Sequence, residues 1–328
     1  MPQATPNPSV KAATAFGPRW ALRDKVPQRL LPIALGCHGH VEAAMKRSNI
    51  HLIKPMMYHK TFPQAPDLHS KVYEKKFLYL IGYGINYAAD RTIIADQYIA
   101  DSEVLFALES DIEHIKANIN GREVVNLISL YQQGVSRSVA YAQIAQTVLA
   151  AFSSHSRVGL LVEGSPFFLD SICELLQERS SSLGIDVVYV DGRSSLDVII
   201  QTLQIPLQHG IGIYLAESYC ADRGVLNPES VNIFFQPGNV GTENIQMHGV
   251  DIAGVRTLKD ALFECYEPSQ RWLLISLGQS TTVSTKIIWN YLSDLDSFYS
   301  YMHSGTLVIS KNWWPADLHG VLPTEIEG

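Results

Sequence analysis

Three features of the sequence predict an α/β fold made of two tandem α/β subdomains. Short apolar runs at residues 77–82 and 158–162 stop at glycine turns, as buried strands of a parallel sheet do. Segments with a helical repeat follow these runs, and such an alternation predicts a mostly parallel sheet covered on both faces. The same alternation begins again after about residue 205. We therefore expect two α/β halves in tandem, with candidate ligand sites where the buried parallel strands end.

Length, charge and cysteine content exclude several classes of protein. The chain has 328 residues, 46% of them hydrophobic, and a net charge of −7. Such a charge attracts neither nucleic acid nor an anionic membrane, and the apolar runs are too short to cross a bilayer. The start has no signal-peptide pattern. The cysteines lie far apart without paired spacing, at Cys37, Cys173, Cys220 and Cys265. We expect a reduced, cytoplasmic protein without disulfides.

Residues 1–70 form an N-terminal extension that is rich in proline and histidine and whose role the sequence does not reveal. We expect the first fifteen residues to be disordered and residues 30–53 to form one or two short helices. Cys37, His38 and His40 suggest a zinc site at first sight. No second ligand pair follows at matching spacing, so a surface or interface role is favoured and no metal is expected.

The first subdomain is predicted to span residues 76–204. Its expected strands are 77–82, 104–108, 124–127, 158–162 and 186–190, and its expected helices are 93–99, 136–152, 168–178 and one that starts near Ser194. The helix 136–152 has the clearest apolar repeat, and Ser136 can cap its start.

The second subdomain is predicted to span residues 205–310, followed by an irregular tail at 311–328. Its expected strands are 212–216, 231–235, 272–277 and 306–310, and its expected helices are 258–265 and 285–292. A loop rich in glycine and proline follows the second of these strands, at residues 237–241.

Two glycine turns that follow strands, at residues 82–84 and 164–166, are candidates for a binding site. Neither belongs to the dinucleotide-binding pattern G-x-G-x-x-G or to the phosphate-binding pattern G-x-x-x-x-G-K-S/T. Ser165 lacks the G-x-S-x-G context of a hydrolase nucleophile, and no H-E-x-x-H zinc motif is present. On spacing alone, ordinary strand-to-helix turns are the favoured interpretation.

Arg137 and Tyr141 are the better candidates for chemistry, because they lie four residues apart on one face of a helix. Ile144 and Val148 continue that face, which points it toward the sheet. A cation in the first helical turn opposes the helix dipole, at a cost of about 0.3–1 kcal/mol. We therefore expect an acidic, phenolic or ligand-borne partner for Arg137. The alternative is a tyrosine at the rim of the core beside a surface arginine, which spacing alone favours.

Four segments, taken in order, resemble the tetrapyrrole (corrin/porphyrin) methylase superfamily of S-adenosylmethionine-dependent enzymes. They are residues 80–84 (LIGYG), 162–166 (VEGSP), 192–197 (GRSSLD) and 305–309 (GTLVI). The second of them stands in place of the family's Gly-Asp-Pro turn. The resemblance covers about residues 77–310. It implies the tetrapyrrole-methylase fold with a cofactor cleft between its two subdomains, S-adenosylmethionine as cofactor, and a homodimer.

Within that superfamily, residues 126–141 are similar to a segment of the borosin peptide backbone α-N-methyltransferases, in which two tyrosines, a glycine and an arginine line the methyl-transfer site. The similarity assigns catalytic roles to Tyr131, Arg137 and Tyr141. Tyr141 would be the base, Arg137 would stabilise charge on the amide oxygen, and Tyr131 would shape the pocket. The chain departs from the borosin pattern at Ile128, commonly a tyrosine, and at residues 163–165, commonly Gly-His-Pro.

The same resemblance implies which residues contact S-adenosylmethionine. They follow the first, fourth and fifth strands of the first subdomain and the first strand of the second subdomain. They are Gly82, Tyr83, Gly84, Glu163, Gly164, Ser165, Pro166, Phe168, Ser194, Ser195, Ala216 and Glu217.

The resemblance implies a methyltransferase that N-methylates backbone amides of a separate peptide. Some borosin enzymes carry their substrate as a C-terminal extension, but residues 303–328 are short, interrupted by Pro315 and Pro323, and lack a run of valine, isoleucine and glycine. Two alternatives stay open. One is a methyltransferase of the same fold that acts on carbon or oxygen of a tetrapyrrole or another small molecule, and the other is a non-catalytic binding scaffold.

Overall fold

The fold is known from a computed structural model, which describes residues 75–324 except 110, 223, 248 and 279–282. The expectations for the N-terminal extension therefore lie outside the described residues. These are the disordered start, the helices at residues 30–53 and the surface role of residues 37–40.

The first subdomain is built on a five-stranded sheet in which every described pair of strands is parallel. The strand order is β3-β2-β4-β1-β5. The strands are β1 (Phe77–Gly82), β2 (Val104–Ala107), β3 (Val124–Asn126), β4 (Arg157–Val162) and β5 (Asp186–Val190). β1 and β4 are buried from their second residue onward, which is why both appear in the sequence as continuous apolar runs.

The described part of the first subdomain contains six α-helices. They are α1 (Tyr87–Asp90), α2 (Ile93–Asp101), α3 (Ile112–Asn118), α4 (Arg137–Ala150), α5 (Ser171–Ser182) and α6 (Ser195–Leu203). Five of them cover the two faces of this sheet, and the sixth, α6, packs against the sheet of the second subdomain. α4 and α5 pack on one face, where Ile144 and Val148 lie in the same apolar cluster as Leu160. α1, α2 and α3 pack on the other face. Because the strands are parallel, the loops at their carboxyl ends meet at one edge of the sheet, and the candidate site lies there.

The second subdomain contains a five-stranded mixed sheet with the order β6-β7-β10-β8-β9. Only β6 and β7 run parallel, and the other three pairs are antiparallel. The alternation of strands and helices that begins again after residue 205 suggests a second mostly parallel sheet, and the structure shows a mostly antiparallel one instead. The strands are β6 (Ile211–Leu215), β7 (Val231–Phe235), β8 (Arg271–Ser276), β9 (Lys286–Tyr291) and β10 (Thr306–Ile309), and the helices are α7 (Ala216–Asp222) and α8 (Ile252–Phe263).

The helix predicted at residues 285–292 is wrong, because this segment is strand β9, paired antiparallel with β8. Its apolar side chains alternate between the two faces of the sheet. Ile287 and Trp289 pack into one apolar cluster and Ile288 into the other. This is the two-residue period of a strand, and β-branched and aromatic side chains suit a pleated surface.

Two predictions about helix starts are also corrected by the structure. The helix expected from residue 168 begins only at Ser171, because Leu169 has a left-handed backbone (φ +55°) and Asp170 caps the helix by accepting from Cys173 N at 2.9 Å. Ser136 precedes α4 at the N-cap position, but its side chain makes no capping hydrogen bond. Its hydroxyl lies 2.9 Å from that of Ser138 instead.

Three chain segments meet in backbone contact at the carboxyl edge of the first sheet. A Cβ atom at Gly82 would lie 2.6 Å from Gly164 O, 2.7 Å from Gly192 N and 2.9 Å from Pro166 Cδ. Gly84 and Gly164 exchange two backbone hydrogen bonds, of 3.2 and 2.9 Å. Because only glycine permits so close an approach, we call Gly82, Gly84, Gly164 and Gly192 the glycine corner.

We expect Gly82→Ala to destabilise the protein by about 1–3 kcal/mol, because the added methyl group overlaps backbone atoms that cannot move independently. Urea unfolding followed by circular dichroism measures the change. Gly249→Ala is the matched control, since a Cβ at Gly249 meets nothing within 4 Å. Equal stability of the two variants would contradict the close packing of the glycine corner.

The start of α6 offers a second test of stability. Ser194 Oγ accepts from Asp197 N at 3.2 Å, and the Asp197 carboxylate accepts in turn from Ser194 N at 3.1 Å. We expect Ser194→Ala to cost about 1 kcal/mol of unfolding free energy, because this reciprocal cap is lost. Ser136→Ala removes a serine at the corresponding position of α4, where no cap exists. A comparable loss in both variants would show that the capping bond is not the cause.

Candidate functional site

Two adjacent cavities open where the strands of both subdomains end. The arginine cavity, of about 290 Å³, is lined by Tyr131, Arg137 and Tyr141 together with residues of the second subdomain. The serine cavity, of about 280 Å³, is lined by Gly164, Ser165 and Ser195. Four residues line both cavities: Glu163, Phe168, Leu169 and Gln236. The two cavities are therefore neighbouring compartments of one cleft, and together they fall in the usual range of ~300–1,000 Å³ for ligand sites.

The wall between the compartments contains unusual backbone. Leu169 and Gln236 are non-glycine residues with positive φ, of +55° and +53°. Gln236 directly follows β7, and its amide oxygen accepts from Asn239 Nδ2 at 2.9 Å. Left-handed backbone at such residues costs about 1–3 kcal/mol and tends to cluster at binding sites. The rest of the fold thus holds this wall in place at an energetic cost.

Arg137 is the first residue of α4 and joins the two subdomains through its side chain. Its Nη2 atom lies 2.7 Å from Glu217 Oε2, at the start of α7. Its Nη1 atom is buried and has no hydrogen-bond partner among the described residues. Glu217 supplies the acidic partner that a cation in the first turn of a helix calls for.

Tyr131 and Tyr141 lie side by side in the arginine cavity, with nearly parallel rings whose centroids are 6.3 Å apart. Burial raises the pKa of the Tyr141 phenol, and the neighbouring Tyr131 raises it further. Arg137 lowers this pKa, but by less. The phenol is therefore a weaker acid than tyrosine in water: Arg137 favours the phenolate, but by less than burial and Tyr131 oppose it.

The arginine cavity carries an excess of negative charge. Among the residues that the structure describes, three carboxylates line it, those of Glu163, Asp170 and Glu217, against one guanidinium, that of Arg137. Burial raises the pKa of Asp170, although the amide groups at the start of α5 favour its charged form. The cavity thus favours cationic and neutral ligands over anionic ones.

The serine cavity presents small side chains and two aromatic rings. Gly164 has a positive φ of +75°, and a Cβ built there would meet only loosely packed atoms, Ile85 Cδ1 being the nearest at 3.6 Å. Ser165 Oγ donates to Asp191 Oδ1 at 2.8 Å. Phe168 and Phe235 form an edge-to-face pair on the wall, and residues 303–306 close the far side.

The structure brings part of the predicted site together. The predicted residues that line a cavity are Tyr131, Arg137, Tyr141, Glu163, Gly164, Ser165, Phe168, Ser195 and Glu217. The predicted cofactor residues that do not line either cavity are Gly82, Tyr83, Gly84, Pro166, Ser194 and Ala216. Tyr83 is buried and donates to Glu109 at 2.8 Å, and Ala216 lies in the apolar core of the second subdomain.

Sequence reasoning missed Leu169, Asp170 and Gln236 as cavity residues. Asp170 carried a detectable signal, because an acidic residue just before a helical repeat is typical of an N-cap. Leu169 and Gln236 carried none, since nothing in a local pattern predicts positive φ at leucine or glutamine.

Within the part of the chain that the structure describes, no set of three histidine, cysteine or acidic residues is arranged to hold a metal ion. Likewise, no described helix has the length and apolarity that a membrane span requires.

Comparison with known proteins identifies related sequences. The model of the family described as Tetrapyrrole (Corrin/Porphyrin) Methylases matches residues 77–216. A related protein of Dendrothele bispora (strain CBS 962.96), named methyltransferase/ribosomally synthesized cyclic peptide dendrothelin A precursor, is 26% identical over 193 residues. That match covers 58% of this chain and 46% of the relative. The chain thus spans about half the length of this curated relative.

Solved structures with the same fold include uroporphyrin-III-C-methyltransferase from Thermus thermophilus, with a TM-score of 0.50 and 17% identity over 77% of this chain and 98% of that one. The methyltransferase CobJ has a TM-score of 0.50 and 13% identity over 72% of this chain and 94% of that one. At these identities the likeness shows the fold alone, and it confirms the predicted fold class of two tandem α/β subdomains. The family model matches less than half of the chain, and through residues 77–216 the chain is therefore similar to the tetrapyrrole methylases, the S-adenosylmethionine-dependent methyltransferase family that its motifs resemble.

Proposed function

We propose that this chain is an S-adenosylmethionine-dependent methyltransferase that methylates backbone amide nitrogens of a separate peptide. The observation that carries the proposal is the grouping of Tyr131, Arg137 and Tyr141 in one cavity that shares a wall with the serine cavity. A donor compartment beside an acceptor compartment is the arrangement that group transfer needs, because transfer requires close contact and alignment of the reacting atoms.

The serine cavity suits S-adenosylmethionine. Gly164 leaves room for a ligand against the backbone, Ser165 and Ser195 offer hydroxyl groups, and Phe168 and Phe235 offer apolar surface. Glu163, in the wall shared with the arginine cavity, provides a negative charge for a cationic ligand. The cofactor supplies an electrophilic methyl group on a positively charged sulfur. The other members of the glycine corner, Gly82, Gly84 and Gly192, would hold the surrounding loops in place without contacting the ligand.

The arginine cavity supplies the groups that activate an amide. An amide nitrogen is a poor nucleophile until it loses its proton or its oxygen charge is stabilised. Tyr141 would accept the proton, and the buried Nη1 atom of Arg137 would donate to the amide oxygen. Tyr131 lies parallel to Tyr141 and limits how the substrate can turn.

The charge of the arginine cavity favours a peptide amide over a tetrapyrrole. Tetrapyrroles of the uroporphyrin type carry several carboxylates, and these would face Glu163, Asp170 and Glu217. The guanidinium that could compensate is already paired with Glu217. A neutral amide incurs no such repulsion. The borosin-like segment 126–141 and the name of the Dendrothele bispora relative support the same substrate class.

The homodimer and the cytoplasmic location stay predictions from the sequence. A methyltransferase that acts on carbon or oxygen of another small molecule and a non-catalytic scaffold stay open as alternatives, the latter because residues 163–165 depart from the borosin turn. Binding of S-adenosylmethionine decides between an enzyme and such a scaffold.

The function is tested by calorimetry with S-adenosylmethionine and by mass spectrometry of candidate peptides encoded near the gene. We expect the purified full chain to bind the cofactor and to add 14-Da increments (one methyl group replacing one hydrogen) at backbone nitrogens. Tyr141→Phe should lower the rate about 10²–10⁴-fold, because the base is lost. Tyr299→Phe, at an exposed tyrosine, is the control. A native rate in Tyr141→Phe would show that Tyr141 is not the base. Absence of cofactor binding would favour a scaffold.

The pH dependence of methyl transfer tests the same base. A base acts only when deprotonated, and burial raises the Tyr141 pKa, so only a small fraction is active near neutral pH. We expect kcat/KM to rise nearly tenfold per pH unit between about pH 7 and pH 9, without a plateau. Stopped assays at cofactor and peptide concentrations far below KM measure this slope. A rate that is constant across this range would show that another group, or none, removes the proton.

A further inference from the structure

The guanidinium of Arg137 is held at one end only. Nη2 contacts Glu217 Oε2 at 2.7 Å, whereas Nη1 is buried without a hydrogen-bond partner among the described residues. Arginine and carboxylate groups commonly form two parallel hydrogen bonds. Here the second donor, Nη1, makes no such bond, and Arg137 lines the arginine cavity. A buried donor without a partner is costly, so a ligand that supplies an acceptor is favoured.

The main chain at the start of α4 is fixed independently of this ion pair. Arg137 N donates to Glu243 O at 2.9 Å. Just before the helix, Gly134 N donates to Ile245 O at 3.0 Å, and Ile245 N donates to Val135 O at 2.8 Å. Hydrogen bonds from the second subdomain thus fix the backbone of Arg137. The long arginine side chain can still point in several directions, and the contact with Glu217 restricts these directions.

We propose that Glu217 is a positioning residue, which anchors Nη2 of Arg137 across the cleft so that Nη1 is presented to a neutral carbonyl oxygen of the substrate. The inference rests on the proposed function and adds a determinant of substrate class. Because Glu217 neutralises the guanidinium, the free donor offers a hydrogen bond without the net positive charge that would attract a carboxylate. The resemblance to the family implied a different role for Glu217, namely contact with the cofactor.

The positioning role and the cofactor-contact role of Glu217 predict different titration behaviour of the neighbouring Tyr141 phenol, which therefore reports on the role of Glu217. Charged and titratable groups face Tyr141 from each element around it. They are Tyr131 before α4, Arg137 on α4, Asp170 at the start of α5, Glu163 after β4 and Glu217 on α7. Replacing Tyr141 with 3-nitrotyrosine gives a phenol that ionises near neutral pH and absorbs visible light when ionised. Its titration needs neither substrate nor cofactor.

The experiment is a double-mutant cycle in the 3-nitrotyrosine protein. Glu217→Gln is made in the native background and in the Arg137→Gln background, and the titration midpoint of position 141 is measured in all four proteins. A carboxylate that acts only through its own charge shifts the midpoint equally in both backgrounds. If Glu217 holds Arg137 in place, its loss also moves the guanidinium. The shifts of the titration midpoint in the two backgrounds should then differ by roughly half a pH unit or more.

Equal shifts in the two backgrounds would overturn the positioning role. Calorimetry with S-adenosylmethionine is the second measurement: we expect Glu217→Gln to bind the cofactor as the native protein does, and a tenfold loss of affinity would instead make Glu217 a cofactor ligand. In methylation assays, Glu217→Gln should lower kcat about 10²-fold while Glu217→Asp keeps part of the rate. A native protein that binds no cofactor would refute the proposed function, and the titration would still decide the role of Glu217.

Discussion

The close backbone contact at the glycine corner is the constraint on which the site depends. Strands β1 and β4 leave the sheet at Gly82 and Gly164, and the chain after β5 passes them at Gly192. A side chain at Gly82 or Gly192 would force the three connections apart, because a Cβ there would overlap backbone atoms of the neighbouring connections. The contact brings the loop that carries Glu163 and Ser165 beside the start of α6, where Ser195 lies. Gly82 and Gly192 thus act through geometry alone, whereas Gly164 itself lines the serine cavity together with Glu163 and Ser165.

The second subdomain completes what the first begins. Backbone hydrogen bonds from residues 243–245 fix the start of α4, and Glu217 binds the Arg137 side chain. Gln236, after β7, forms part of the wall between the two cavities. Hence neither subdomain alone forms the cleft, because residues of both line each cavity.

The sequence was sufficient for the features that depend on local pattern. The buried strands, the helix with Ile144 and Val148 on its inner face, and the presence of Tyr131, Arg137 and Tyr141 in one place follow from periodicity and from the resemblance. It failed where tertiary pairing decides. Segment 285–292 has a composition that either a helix or a strand can use, and only its pairing with β8 makes it a strand. The contact between Arg137 and Glu217 joins residues 80 positions apart, and local pattern contains no information about such a pair.

Within the cleft, neighbouring residues restrain both groups that are proposed to act on the substrate. Tyr141 is protonated because it is buried beside Tyr131, and Arg137, which would favour its ionisation, is paired with Glu217. A positively charged ligand in the adjacent compartment would oppose the first effect, since a nearby cation favours the phenolate. A neutral carbonyl at Nη1 of Arg137 would occupy its free donor without disturbing the ion pair. Cofactor and substrate would therefore each supply part of what the cleft lacks, which couples proton removal to the presence of both.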